Sequence, residues 1–144
     1  MERTFHMLLY RAYHAQRAYL RPYLEEMGLG FGQPKLIAYL EKNGPCRQKQ
    51  LADYFEIDPA AVSRMLDSLM KGGFVTQRTD ENSRRCHLVE LTEQGGAASR
   101  QWKERCKEAE KIMLEGFTPE EREQFALALS RVYRNFQIGK GESS

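Results

Sequence analysis

Between Gln50 and Thr92 the order of residue types leaves few ways to fold. The stretch QLADYFEI puts Leu51, Phe55 and Ile57 where they fill the space under a short helix, and small Ala52 lets a second helix cross it closely. Asp58-Pro59 opens that second helix, because aspartate suits the N-cap and proline has no amide to lose at the first helical position. Val62 and Met65 anchor it inward, which leaves Ala60, Ala61, Ser63, Arg64, Asp67 and Ser68 facing outward, and Gly72-Gly73 stops it. Residues 74–79 (FVTQRT) and 86–91 (CHLVEL) then have strand composition and flank the polar run Asp80-Glu81-Asn82-Ser83-Arg84-Arg85.

A short helix, a longer one over about 58–71 and a hairpin over about 74–91 make a winged helix-turn-helix, mainly α with a small β-wing. Such a unit holds duplex DNA by laying the N-terminal half of its second helix in the major groove, where Ala60 and Ala61 allow close approach and Ser63, Arg64 and Ser68 meet base edges or phosphates. Net charge does not decide the matter, since basic and acidic residues balance between Cys46 and Thr92. Position does: Arg47, Gln48 and Lys49 at the start of the first motif helix, with Arg64, Arg78, Arg84 and Arg85, are placed on one face, apart from Asp53, Glu56 and Glu90. The competing reading is a winged-helix module that binds protein or a small ligand and no nucleic acid.

The same stretch resembles the MarR family of transcription regulators, through VSRMLDSL followed by GGFVTQRTDENSRRCHLVELTEQG. The family wing reads Asp, two variable residues, Asp, a basic residue and Arg, then an apolar strand ending Leu-Thr with a glycine soon after. Asp80, Arg84, Arg85, Leu91, Thr92 and Gly95 fit this pattern, and Ser83 replaces the second aspartate. The resemblance implies that Arg85 is the minor-groove residue, consistent with the negative potential that a narrow minor groove concentrates. It also implies that the protein is a repressor, released from its operator by a small aromatic or phenolic effector or by an oxidant.

The flanks carry more apolar surface than one small lobe hides. Residues 4–26 hold Phe5, Leu8, Leu9, Ala12, Tyr19, Leu20, Tyr23 and Leu24 at three- and four-residue steps, with Pro22 expected to kink the helix near its end. A second helix around Leu36, Ile37 and Leu40 stops at Asn43-Gly44-Pro45. Beyond the wing, Trp102, Cys106, Ala109 and Met113 form a thin stripe on a long solvated helix, and the capping box Thr118-Pro119-Glu120-Glu121 starts a last one with Phe125, Leu129, Val132, Tyr133 and Phe136 inward. The expected organisation is a dimerisation helix over 1–30, the DNA-binding lobe over 31–92, dimerisation helices over 93–138 and a disordered tail over 139–144. Interlocked end helices make a homodimer, whose recognition helices, about 34 Å apart, meet successive major grooves of a pseudo-palindromic operator.

With 144 residues, 41% of them hydrophobic, and a formal charge of +2, the chain suits one compact domain or two small lobes. No apolar run reaches the roughly 18 residues of a membrane span, and the N-terminal stretch lacks a signal-peptide core, so a cytoplasmic location is expected. Cys46, Cys86 and Cys106 are odd in number and form no C-x-x-C pair, which fits reduced thiols better than a disulfide framework or zinc site; Cys46, beside Arg47, has a setting that can lower a thiol pKa and permit redox sensing. His6, Tyr10, Tyr13, His14 and Arg17 on the first helix are a candidate effector pocket, whose arginine would meet a carboxylate, or else plain packing residues. Nucleophile-elbow, phosphate-loop and metalloprotease motifs are all missing, so a non-enzymatic regulator without metal or cofactor is expected.

Overall fold

The computed structural model describes residues 4–142 and orders them as α1 Phe5–Met27, α2 Gln33–Asn43, α3 Gln48–Phe55, α4 Pro59–Lys71, β1 Val75–Asp80, β2 Ser83–Leu91, α5 Glu93–Met113 and α6 Pro119–Glu142. The chain divides into two compact units, residues 1–109 and 110–144. No helix among the described residues is long and apolar enough to cross a membrane.

The core of the first unit sits where α2, α3 and α4 converge on the strands. Leu36, Ile37, Leu51, Val62 and Leu69 are completely buried, with Leu66 and Val89 nearly so. Leu66 and Leu69 follow Val62 at four and seven residues, the spacing of one helix face, and carry more of the burial than Met65, which is only half-buried. Ala52 is buried beside Leu51 and permits the close crossing of α3 and α4. Completely burying a leucine is worth about 1.5 to 3 kcal/mol, so these few side chains fix the relative placement of three helices.

Local signals set the helix ends. Pro59 occupies the first turn of α4, and Val62 N–H donates to the Asp58 carbonyl at 3.1 Å, although the Asp58 carboxylate makes no capping bond. Gly44, at φ +81°, stops α2. Pro22 lies within α1, which continues to Met27 and ends on Gly28 at φ +76°.

The wing departs from the expected long polar loop. Its turn is only Glu81-Asn82, closed by the Asn82 N–H donating to Asp80 Oδ1 at 3.0 Å, and Arg84 and Arg85 belong to β2 instead of the hairpin tip. Pairing runs in register from Val75 opposite Leu91 to Thr79 opposite His87, then jumps so that Asp80 faces Ser83. Arg84, Arg85 and Cys86 are therefore extra residues on one strand, a bulge that bends the strand and re-aims its side chains. Cys46 adds a third short line to the sheet, its amide and carbonyl both bonded to Val89.

In the second unit α6 begins with the predicted capping box: Glu121 N–H donates to Thr118 Oγ1 at 3.1 Å and Thr118 N–H to Glu121 Oε1 at 2.9 Å. The helix continues through Gly139 to Glu142, where a disordered tail was expected. Ser143 and Ser144 lie outside the described residues.

Candidate nucleic-acid interface

The outward face of α4 presents Ala60, Arg64, Asp67 and Ser68 as exposed residues, with Ala61 and Ser63 partly covered. Arg64 has no ion-pair partner among the described residues, nor do Lys49, Arg84 and Arg85, and all four side chains are exposed. Gln48 is half-buried at the start of α3, where the neighbouring Arg47 amide donates to Gln50 Oε1 at 2.8 Å and so fixes the first turn.

Arg47 and Arg78 have other occupations than the free phosphate contacts predicted for them. The Arg47 guanidinium donates from Nη2 to Asp80 Oδ2 at 2.9 Å and from Nε at 3.3 Å, tying the start of α3 to the end of β1. Arg78 Nε donates to Glu90 Oε2 at 2.7 Å across the hairpin, which puts Glu90 on the same face as this arginine. Spacing alone hid both pairs, because the partners lie on different elements.

The clamp between Arg47 and Asp80 positions the wing. The Asn82 amide and then the Arg47 guanidinium hold the Asp80 carboxyl below its ordinary value of 3.8. A depressed folded pKa means that the pair stabilises above the unfolded value and that this contribution is lost as pH falls through the folded one. Asp80→Asn keeps an oxygen for the Asn82 amide and removes the charge facing Arg47, so at pH 7 it is expected to reproduce the acid state, with a several-fold lower duplex affinity and an unchanged far-ultraviolet spectrum. Fluorescence anisotropy with a labelled duplex checks this, and wild-type affinity in the variant refutes a positioning role.

Residues 32–87, from the N-cap of α2 into β2, match the profile of the MarR family. The crystal structure of a MarR transcriptional regulator from Methanosarcina mazei Go1 superimposes with a TM-score of 0.83 at 25% identity, covering 93% of this chain and 96% of that one. Residues 32–87 are thus a MarR-type segment. The chain is similar to the uncharacterized HTH-type transcriptional regulator YybA of Bacillus subtilis, with 25% identity over 78% of this chain and 75% of the relative. A MarR-family protein of Listeria monocytogenes, complexed with 26mer DNA, shares the fold at a TM-score of 0.80 and 24% identity, over 94% of this chain and 89% of that one. The chain thus shares the winged-helix fold of these proteins.

A second feature of the MarR-type lobe is a cavity of about 220 Å³ beside α1 and α2, lined by Tyr13, Gln16, Arg17, Leu20, Leu24, Phe31, Gly32, Pro34, Lys35, Ala38 and Trp102. Arg17 lies with its guanidinium 4.1 Å from the Phe31 ring centroid, and its Nε is buried without a hydrogen-bond partner. Of the five candidate pocket residues, Tyr13 and Arg17 line this space, whereas His6, Tyr10 and His14 are exposed outside it, the last two stacked at 5.8 Å. One residue turns a helix by about 100°, so His14 points away from the stripe that Tyr13, Arg17, Leu20 and Leu24 form. The four-residue steps of His6, Tyr10 and His14 therefore marked the wrong side of α1, and Phe31, Lys35 and Trp102 join the true stripe only through tertiary packing.

Cys46 is not the activated thiol that its neighbour suggested. It is buried, and burial pushes its pKa up, while the adjacent Arg47 guanidinium is turned toward Asp80. Among the described residues no cluster of His, Cys, Asp and Glu is arranged to hold a metal ion.

Proposed function

We propose that this chain acts as a homodimeric repressor that binds a pseudo-palindromic operator and is released by a small aromatic carboxylate. The observation that carries the reading is the pairing of an exposed Arg64 on α4 with exposed, unpaired Arg84 and Arg85 on a wing held by the clamp between Arg47 and Asp80. Arg64, with Ala60, Ala61, Ser63 and Ser68, reads the major groove; Gln48 and Lys49 meet the backbone; Arg85, with Arg84, enters the minor groove. Arg47 acts mainly through the wing it holds. A protein clamped over adjoining grooves blocks access to the duplex, which is repression without any further contact surface.

Dimerisation is supported by the terminal helices, taken one by one. Phe5, Leu9, Tyr10 and Tyr13 of α1 are exposed, as are Leu127, Val132, Tyr133, Phe136 and Ile138 of α6, with Phe5 at 86% and Phe136 at 71%. Apolar surface on this scale marks a protein interface in a stable chain. The cavity suits the effector: its aromatic lining takes a ring, and the unpaired Arg17 Nε and the Lys35 ammonium offer donors to a carboxylate.

Selection of bound duplexes from a random pool, with the mass of the complex measured in solution, tests the reading. The expected result is a two-fold symmetric consensus with half-sites one helical turn apart and two chains per duplex. An asymmetric consensus or a monomer on DNA refutes it. Arg85→Ala is expected to weaken binding about tenfold and to lower the salt slope by about one, checked by titrations at several salt concentrations.

A further inference from the structure

We propose that Asp67 is a second base-reading residue, which selects a cytosine at the base pair next to the one that Arg64 reads; the inference rests on reading α4 as the helix that enters the major groove. Val62, Leu66 and Leu69 are the buried line of α4. Ala60, Arg64, Asp67 and Lys71, at steps of four, three and four residues, are all exposed and run along the opposite side. The outermost ridge of the helix therefore carries one carboxylate between two cations.

That carboxylate has no internal task. Residues three or four apart on a helix are neighbours, and an acid four positions before a lysine is well placed to pair with it. Asp67 nonetheless forms no ion pair with Arg64 or Lys71 among the described residues. Acids of the wing differ, since Asp80 is held by Arg47 and Glu90 by Arg78. A carboxylate on the ridge of a groove-bound helix is repelled by phosphate oxygens and by every acceptor on the groove floor. There guanine shows N7 and O6, thymine O4, and adenine N7 beside its amino group, whereas cytosine shows only the N4 amino donor. Cytosine is thus the one base edge that Asp67 meets without repulsion. Three residues of helix advance about 4.5 Å, against about 3.4 Å between base pairs. Asp67 therefore falls on the pair adjoining that of Arg64, as residues three apart on other groove-bound helices meet successive bases. Its contribution lies more in rejecting the other bases than in attracting cytosine.

Selections from a random duplex pool with the full chain as wild type, Arg64→Ala and Asp67→Ala locate the two positions, and anisotropy titrations on duplexes carrying each base at the Asp67 position measure the preference. Wild type is expected to favour cytosine over thymine there about tenfold, and Asp67→Ala to bring the ratio within about twofold, chiefly by gaining affinity for the thymine duplex. Asp67→Asn, whose carboxamide both donates and accepts, is expected to bind the adenine duplex at least as well as the cytosine one, a change of preference that a merely structural role would not produce. The exposed side chain holds no other residue, so both variants keep the fold, which a far-ultraviolet spectrum checks. This inference alone is overturned by a wild-type preference for another base, by an equal gain of Asp67→Ala on every duplex, by an Asp67→Asn protein that still ranks cytosine first by the wild-type margin, or by a relaxed position that does not adjoin that of Arg64→Ala. A wild-type chain that selects no duplex overturns the major-groove reading and this inference with it.

Discussion

Gly95→Ala is expected to destabilise the protein by about 3 kcal/mol or more, the largest effect of any methyl group added to this chain. A Cβ on Gly95 would stand 2.0 Å from the Phe74 carbonyl oxygen, 3.0 Å from its carbon and 2.9 Å from Leu91 Cδ2. Two of those atoms are backbone and cannot rotate aside. The surrounding joint is also fixed by hydrogen bonds: Thr92 Oγ1 donates to the Gly73 carbonyl at 2.6 Å and accepts the Gly95 amide at 3.0 Å, while Gln94 Nε2 donates to the Gly72 carbonyl at 3.0 Å. Relieving the clash pries the start of α5 off the end of α4 and opens these bonds together. Gly96→Ala is the internal control, because its Cβ meets only the flexible Arg100 Nη1 at 3.4 Å and alanine favours helix by up to about 1 kcal/mol. Urea unfolding of the two variants checks the contrast, and coincident midpoints refute it.

Arg64→Ala is expected to cost about 1 to 3 kcal/mol of operator affinity and to relax base preference at one position of each half-site. The side chain is exposed, unpaired among the described residues and projects from the N-terminal half of α4, so no internal contact is lost with it. Folding should be untouched, which separates this variant from Gly95→Ala. The check is a panel of duplexes with single base changes, bound at one fixed salt concentration. A uniform loss over the whole panel assigns Arg64 to phosphate and refutes base reading.

Most of the winged helix was legible because its signals are local. Asp58-Pro59, Gly44 and Gly72 mark helix ends through φ restriction and amide supply, and Thr118 with Glu121 closes a box within four residues. The apolar face of α4 follows from helical period, although period alone did not rank Leu66 and Leu69 above Met65. What escaped the sequence depends on contacts between distant residues. Arg47 finds Asp80 33 positions away, and this pair changes Arg47 from a phosphate contact to a wing brace. The cavity draws from α1, α2 and α5 at once, so the four-residue steps of α1 picked out His6, Tyr10 and His14, which lie outside it, touched Tyr13 and Arg17 only as their neighbours, and could not reach Phe31 or Trp102. The hairpin turn was read as longer than it is because Asp80 to Arg85 is polar throughout, whereas backbone pairing resumes at Ser83.

The register jump in β2 separates two tasks within a single hairpin. From Val75 to Thr79 the strands pair without interruption and deliver Val75 and Val89 to the core, while the three surplus residues that carry both arginines add nothing to that pairing. Lengthening or shortening the surplus by a residue would swing the guanidinium groups to another depth or direction and leave the buried ladder in place. If these arginines enter the minor groove as proposed, their reach can be retuned by design without touching the stability of the lobe beneath.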